Sequence, residues 1–434
     1  MKDIFKQLII DFQNTVLPTP IPREVVLPSL PPALRKAIVL IGMRRSGKTW
    51  VLYQWINALK ASQGNLQKIV YINFEDDRLT GVEHSLQPLL DAYFELYPQY
   101  INAPDLHFFF DEIHEVPGWE KFIRRLLDQE NIKLYLTGSS AKMLSKEIAT
   151  SLRGRNLVRE IFPLSFEEYL SHQEPQITKP PTSKQKSVIK HHLQRYLEFG
   201  GFPETLEADS LLHRELLQGY IDTVIYRDIV ERHQVTNTSV LRYLLKHCLQ
   251  NAASRLSIHK MYLNFKSQGY VVGKNALYEF MDYFEDAYCL FAVPIYSFSY
   301  KKSELKLKKI YPADTGLITA FTIKPQTELA SRLETAVFLH LRRHLDEIYF
   351  YQTASGKEVD FVTLTPEGQR ALFQVTISLQ DEKTKARELS ALREAMLELE
   401  TSSSIVVTMD EEESLTFPEG IVTVIPLWKF LLPS

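Results

Sequence analysis

The stretch KAIVLIGMRRSGKTWVL, residues 36–52, decides how the chain is read. An apolar run over 37–41 meets Gly42, and Gly47, Lys48 and Thr49 follow before the text becomes helix-like. The run fits a buried parallel strand. The spacing Gly42-x-x-x-x-Gly47-Lys48-Thr49 is that of a phosphate-cradling loop. Its glycines let the backbone wrap closely and turn N–H groups inward. The N-terminus of the following helix adds the positive end of its dipole. Lys48 would reach the β- and γ-phosphates, and the Thr49 hydroxyl would ligate Mg²⁺. Arg45 and Ser46 lie inside the loop. Arg45 either helps hold phosphate or pairs with the acidic FEDD run (Glu75, Asp76, Asp77).

Hydrolysis needs more than a cradle. The apolar segment LHFFF runs into Asp111 and Glu112. Asp111 at a strand end suits a Mg²⁺ role, direct or through water. Glu112 suits a general base for an attacking water. Neighbours on a strand point to opposite sides, so the two carboxylates can do different work. The segment KLYLTGSS ends in hydroxyls, and Thr137 or Ser139 is the candidate for sensing the terminal phosphate or positioning water. Arg153 and Arg155 are candidates for a charge-stabilising arginine, supplied by the same chain or a neighbouring copy. A neighbouring copy would make the protein a homo-oligomer.

Outward from the loop, apolar runs at 37–41, 68–73, 106–110 and 133–137 alternate with helical text at 50–62 and 119–129. Such alternation predicts a doubly wound parallel α/β sheet with its ligand beyond the carboxyl strand ends. Residues 1–35 read as an amphipathic helix (Ile4, Phe5, Leu8, Ile9, Phe12) and a proline-rich lead-in. The organisation expected is a nucleotide-binding domain over 36–165, a helical linker over 166–237, a winged-helix-like module over 238–312 and a further α/β domain over 313–434. In the module, helices are expected at 240–253, 257–268 and 275–287, the last as recognition helix, with a wing hairpin after it.

Composition sets limits. With 434 residues, 45% hydrophobic, 24% charged and a net charge of −3, the chain is of ordinary globular type without global nucleic-acid affinity. Its two cysteines, Cys248 and Cys289, exclude a disulfide scaffold and fit a reducing compartment. The absence of an apolar run of transmembrane length and of a signal-peptide pattern predicts a cytoplasmic protein with no membrane partner.

The segments GMRRSGKT, YINFEDDRL, FFFDEIHEVPGWEKFIRRLLD, LYLTGSSAKMLS and LRGRNLVREIFPLSFEEYL resemble the prokaryotic AAA-type ATPases of the AAA_14 group. GGFPE, YIDTVIYRDIVERH and KKIYPADTGL look like the DUF4143 domain that usually follows. The resemblance implies ATP as ligand, hydrolysis, a winged-helix segment and a C-terminal module similar to PD-(D/E)xK nucleases. A working nuclease of that type wants Asp, then Glu-x-Lys on the next strand. Here Glu334 and Asp360 are followed by Gln374-Val375-Thr376, a poor Mg²⁺ set without its lysine. An inactive module is therefore expected.

Partners remain at two alternatives. Lys301, Lys302, Lys306, Lys308 and Lys309 in the expected wing form a local basic patch suited to duplex DNA phosphates. Against this, residues 275–287 carry Glu279, Asp282, Glu285 and Asp286, which a major groove would repel, so a protein partner is the alternative. The overall expectation is an ATPase that relays nucleotide state to a DNA- or protein-binding C-terminal half. The competing reading is a nucleotide-gated adaptor that barely turns over.

Overall fold

The computed structural model describes residues 1–31, 34–80, 85–138, 152, 154–297, 308–322 and 328–432. The chain forms two compact units, Met1–Phe162 and Pro163–Ser434. The break falls three residues before the expected boundary at 165. The lead-in is no separate region, because it packs within the first unit.

The first unit is built on β1 (Ala37–Ile41), β2 (Ile69–Asn73), β3 (Leu106–Asp111), β4 (Ile132–Thr137) and β5 (Asn156–Glu160). All pair in parallel, in the order β2-β3-β4-β1-β5. β1 and β3 are buried along their whole length, as continuous apolar runs covered on both faces require. Among the described residues the sheet is accompanied by α1 (Lys2–Asn14), α2 (Lys48–Gln63), α3 (Gln87–Leu96) and α4 (Trp119–Gln129). Phe5, Leu8, Ile9 and Phe12 form the buried stripe of α1, which packs on α3 and β2. β5 was not expected from the sequence.

In the second unit, β6 (Ser254–Leu256), β7 (Leu290–Val293) and β8 (Lys308–Pro312) form an antiparallel sheet in the order β6-β8-β7. Helices Thr238–Gln250, Ile258–Ser267 and Lys274–Asp286 lie around it in sequence, and Ser257 caps the second by accepting from the Lys260 amide. A six-stranded sheet follows in the order β13-β14-β12-β11-β10-β9: β9 (Glu347–Gln352), β10 (Glu358–Leu364), β11 (Arg370–Val375), β12 (Ser403–Thr408), β13 (Glu413–Phe417) and β14 (Gly420–Pro426). Helices Leu329–His344 and Glu382–Glu398 pack against it. Buried Asp314 accepts from the Gly201 and Gly316 amides at 2.7 and 2.8 Å, which ties the GGFPE turn to the PADTG segment.

Candidate functional site

The loop between β1 and α2 is set by two glycines. Gly42 has φ +141°, and a Cβ there would stand 2.2 Å from the Ile161 carbonyl oxygen, so only glycine fits beside the end of β5. Gly47 is the N-cap of α2 with φ 97°, and no side chain caps that helix. The Lys48 side chain is buried and donates to the Gly42 and Met43 carbonyls at 3.1 and 3.2 Å. Ser46 is fully buried, and its Oγ has no hydrogen-bond partner among the described residues. A buried hydroxyl without a partner, one residue before an uncapped helix start, fits a site made for a phosphate group.

Strand order brings the acids to this loop. Register pairs Leu40 with Thr137 and Phe110 with Leu136, so the ends of β1, β4 and β3 lie side by side. Asp111 is 1% exposed and accepts hydrogen bonds from the Tyr71 hydroxyl at 2.9 Å and from Thr137 Oγ1. The same Thr137 oxygen accepts from the Glu112 amide at 2.9 Å. Thr137 therefore bonds to both acidic residues at once. Thr137→Val would leave a buried amide and carboxylate without this partner. A loss of about 1–3 kcal/mol in stability is expected, with ATP turnover reduced and Thr137→Ser close to wild type. Denaturant unfolding and phosphate release check this.

Glu112 sits in the left-handed region at φ 52°, a conformation that a non-glycine residue adopts only when its surroundings hold it there. Burial pushes its carboxyl up to about 7; Lys48 and Arg44 pull it down, while Asp111 and Glu75 push it further up. Glu112 Oε2 makes no hydrogen bond among the described residues, although His114 Nδ1 lies 3.2 Å away. His114 Nε2 in turn lies 3.2 Å from Glu115. His114 and Tyr71 were not singled out from the sequence. For Tyr71 the signal available was its strand parity with Asn73, which pairs with Asp111 in the register.

The remaining candidates fall elsewhere. Glu75 lies 4.0 Å from Arg44, while Asp76 pairs with Arg78 at 2.8 Å. Exposed Arg45 has φ 67°. Ser139 and Arg153 lie outside the described residues. Of the two sources expected for the arginine, Arg155 does not fit the same-chain one: its carbonyl accepts from the Ala37 amide at 2.9 Å, at the amino end of β1, and its guanidinium pairs with Asp128. Five strand residues, about 16 Å, separate it from the loop, so Arg155 can finish a phosphate site only in another copy.

A correction concerns the basic patch. Lys301, Lys302 and Lys306 lie outside the described residues. Lys309 is no surface residue: it is 3% exposed, and its ammonium lies 2.8 Å from Glu334, 2.7 Å from Glu358 and 2.9 Å from Asp360. Burial alone would lower its pKa, but the facing carboxylates, Asp360 foremost, outweigh this and hold it well above the usual value. Tyr311 donates to Glu334 at 2.6 Å, and the Val375 amide donates to Asp360 at 2.9 Å. Gln374 accepts from the Asp360 amide at 3.3 Å and donates to Glu388 at 2.8 Å. Lys357 pairs with Glu394 outside this cluster. Glu334 and Asp360 do meet, but around an internal lysine.

The parallel sheet, its glycine-bounded loop and the adjacent strand-end acids define the first unit as a P-loop fold of AAA type. The AAA_14 family model, an AAA domain, matches residues 34–170, and DUF4143, a domain of unknown function, matches 331–430. A further domain of unknown function, DUF8612, covers 190–328. It takes in GGFPE, YIDTVIYRDIVERH and KKIYPADTGL, which the sequence reading had placed in DUF4143. The chain belongs to the family of AAA_14 proteins with a DUF4143 domain, and is 34% identical to the uncharacterized protein MJ1544 of Methanocaldococcus jannaschii over 99% of this chain and 96% of that one. An uncharacterized protein of Haemophilus influenzae is 28% identical over 75% of this chain and 78% of its own length. Among solved structures, the Walker-type ATPase PABY2304 of Pyrococcus abyssi is 12% identical with TM-score 0.42, covering 74% of this chain and 95% of that one. The Aeropyrum pernix ORC1 protein in complex with DNA is 16% identical with TM-score 0.30, covering 68% and 89%. No helix among the described residues is long and apolar enough to cross a membrane.

Proposed function

We propose that the protein is a Mg²⁺-dependent ATPase whose chemistry lies at the carboxyl ends of β1, β3 and β4. The observation that carries this reading is Glu112, a largely buried carboxylate beside His114 whose backbone amide is held by Thr137 Oγ1. The loop amides and Lys48 bind the phosphates. Thr49 and Asp111 would hold Mg²⁺, which when bound neutralises phosphate charge and polarises the reacting phosphoryl group. Among the described residues no three His, Cys, Asp or Glu side chains gather to hold a metal. Few protein ligands suit Mg²⁺, which keeps waters and phosphate oxygens around it. Ionised Glu112 accepts the proton of the attacking water.

A base whose carboxyl lies near 7 must lose its proton to act. The expected kcat/KM for ATP therefore rises with pH through about 7. At pH 6 roughly a tenth of the base is ionised, at pH 8 roughly nine tenths. A profile flat between pH 6 and 8 would remove Glu112 from this role.

In the second unit we read residues 238–312 as a winged helix that serves as a protein-binding output. Glu279 and Asp282 are exposed on the helix Lys274–Asp286, and Lys309 is committed to carboxylates, both unfavourable to a phosphate backbone. The cluster around Lys309 likewise supports a C-terminal domain without nuclease activity. Phosphate release from MgATP, measured for wild type and Lys48→Ala with and without duplex DNA, tests the whole reading. Turnover lost in Lys48→Ala and changed less than about twofold by DNA is expected. Strong DNA stimulation would transfer the output to nucleic acid, and ATP binding without turnover would favour a nucleotide-gated adaptor.

A further inference from the structure

The proline-rich lead-in lies along α2 and is strapped there by side chains of that helix. Asn57 donates to the Pro18 carbonyl and Trp55 Nε1 to the Val25 carbonyl, each at 3.0 Å. Between them the Arg23 amide donates to Gln54 Oε1 at 2.7 Å, and Gln54 Nε2 donates back to the Arg23 carbonyl at 3.0 Å. This reciprocal pair fixes the Arg23 backbone from which its side chain departs. Arg23 is 7% exposed, with Nη1 donating to the Ser46 carbonyl at 3.0 Å and Nη2 to the Phe162 carbonyl at 2.6 Å.

The Ser46 carbonyl belongs to the phosphate loop itself. A peptide unit is planar and trans, so its C=O and the next N–H point to opposite sides. With the Ser46 oxygen held by Arg23, the Gly47 amide must point away from Arg23. Gly47, at φ 97°, could otherwise turn this peptide over at little cost, since glycine has no Cβ to oppose it. Phe162 O supplies the fixed end: the adjoining Ile161 amide donates to the Ile41 carbonyl at 2.7 Å, anchoring that backbone to β1. The fork of a guanidinium can span two carbonyls, which a single ammonium cannot do with the same rigidity.

Resting on the nucleotide-binding reading above, we propose that Arg23 is a positioning residue of the phosphate site, which pins the Ser46–Gly47 peptide so that the Gly47 amide is aimed at the bound phosphates. The lead-in is then a working part of the site. A loop free to flip this peptide must be ordered at the moment of binding, so the effect falls on affinity more than on the chemical step.

The test compares wild type, Arg23→Met, Arg23→Lys and Gln54→Leu by calorimetric ATP binding and steady-state phosphate release, with Lys48→Ala as the reference for a lost phosphate contact. Arg23→Met is expected to raise both Kd and KM for ATP about tenfold, the scale of a charge-assisted hydrogen bond, with kcat within about threefold. Arg23→Lys is expected to recover little of the loss. Gln54→Leu, which keeps Arg23 and frees only its backbone, is expected to raise KM about threefold and keeps the test open if the arginine variants do not fold. A purely structural arginine would lower the folded fraction, and with it the maximal rate, at unchanged KM; that result overturns the proposal. Wild type that binds no ATP overturns the nucleotide reading and this proposal with it. Wild type that binds ATP while folded variants match its KM overturns this proposal alone.

Discussion

Glu112→Gln is expected to lower ATP turnover by at least about 100-fold while ATP still binds, since a positioned general base contributes about 10²- to 10⁴-fold. The substitution keeps the side chain's shape. The backbone bond from residue 112 to Thr137 Oγ1 is untouched, and so is the Asp111 carboxylate. What disappears is the ability to take a proton. Stability should move the other way. Folding raises the Glu112 pKa from its usual 4.5 to about 7, so the folded protein holds this proton more tightly than the unfolded chain. Ionised Glu112 therefore costs stability increasingly as pH rises between those values, and above pH 7 the cost is complete. A neutral glutamine escapes it, so at pH 8 the variant should be at least as stable as wild type. A dead but stable variant is the signature of a group held in place for chemistry. Turnover unchanged in Glu112→Gln would show that another group activates the water. Denaturant unfolding at pH 5 and pH 8, run beside phosphate release, reads both effects.

Lys309→Met should cost the second unit about 3–5 kcal/mol, because it strips the shared cation from three facing carboxylates. The Tyr311 hydroxyl and the Val375 amide still donate to Glu334 and Asp360, but neither carries charge, and only Glu358 keeps a cation, Arg255. Burial already raises the Glu334 pKa in the wild type, with Asp360 adding to it. Without the ammonium that pKa rises further. A carboxyl whose folded pKa lies above its unfolded one loses stability as pH rises, so the deficit should be larger at pH 8 than at pH 5. Adding Glu334→Gln should restore part of the loss, a coupling that a double-mutant cycle measures. A Lys309→Met protein as stable as wild type, or equally impaired at both pH values, would mean that the cluster does not bind its lysine as described. By contrast, removal of a surface lysine of the kind expected in a wing would cost close to nothing.

Parts of the fold were legible for a simple reason. β1, β3 and β4 are covered on both faces and therefore spelled as largely apolar runs, AIVLI, LHFFF and KLYLT. β5 reads NLVRE; it is an edge strand with half-exposed positions, so no apolar run announced it. Without β5, the end of the sheet at which Arg155 stands could not be read. With β5 beginning just after it, Arg155 belongs to the amino end of a parallel sheet, whose ligand end is the other one. Thr137 was picked out as a strand-end hydroxyl, yet its partners are Asp111 and the Glu112 amide on the neighbouring strand, which only the order β3-β4-β1 brings within reach.

Local spacing and composition alone determined the loop Gly42–Thr49, the paired acids Asp111 and Glu112, and the parallel α/β class, because each depends on residues a few positions apart. Tertiary structure alone decided the fate of the lysines and arginines. Lys309 lies in a run of basic text, but the carboxylates that bury it stand 25 to 51 positions away. Arg23 lies in a proline-rich lead-in, but its carbonyl partners are 23 and 139 positions away. A charge takes its role from what neutralises or accepts it, and in a folded chain that partner is chosen by packing rather than by distance along the sequence.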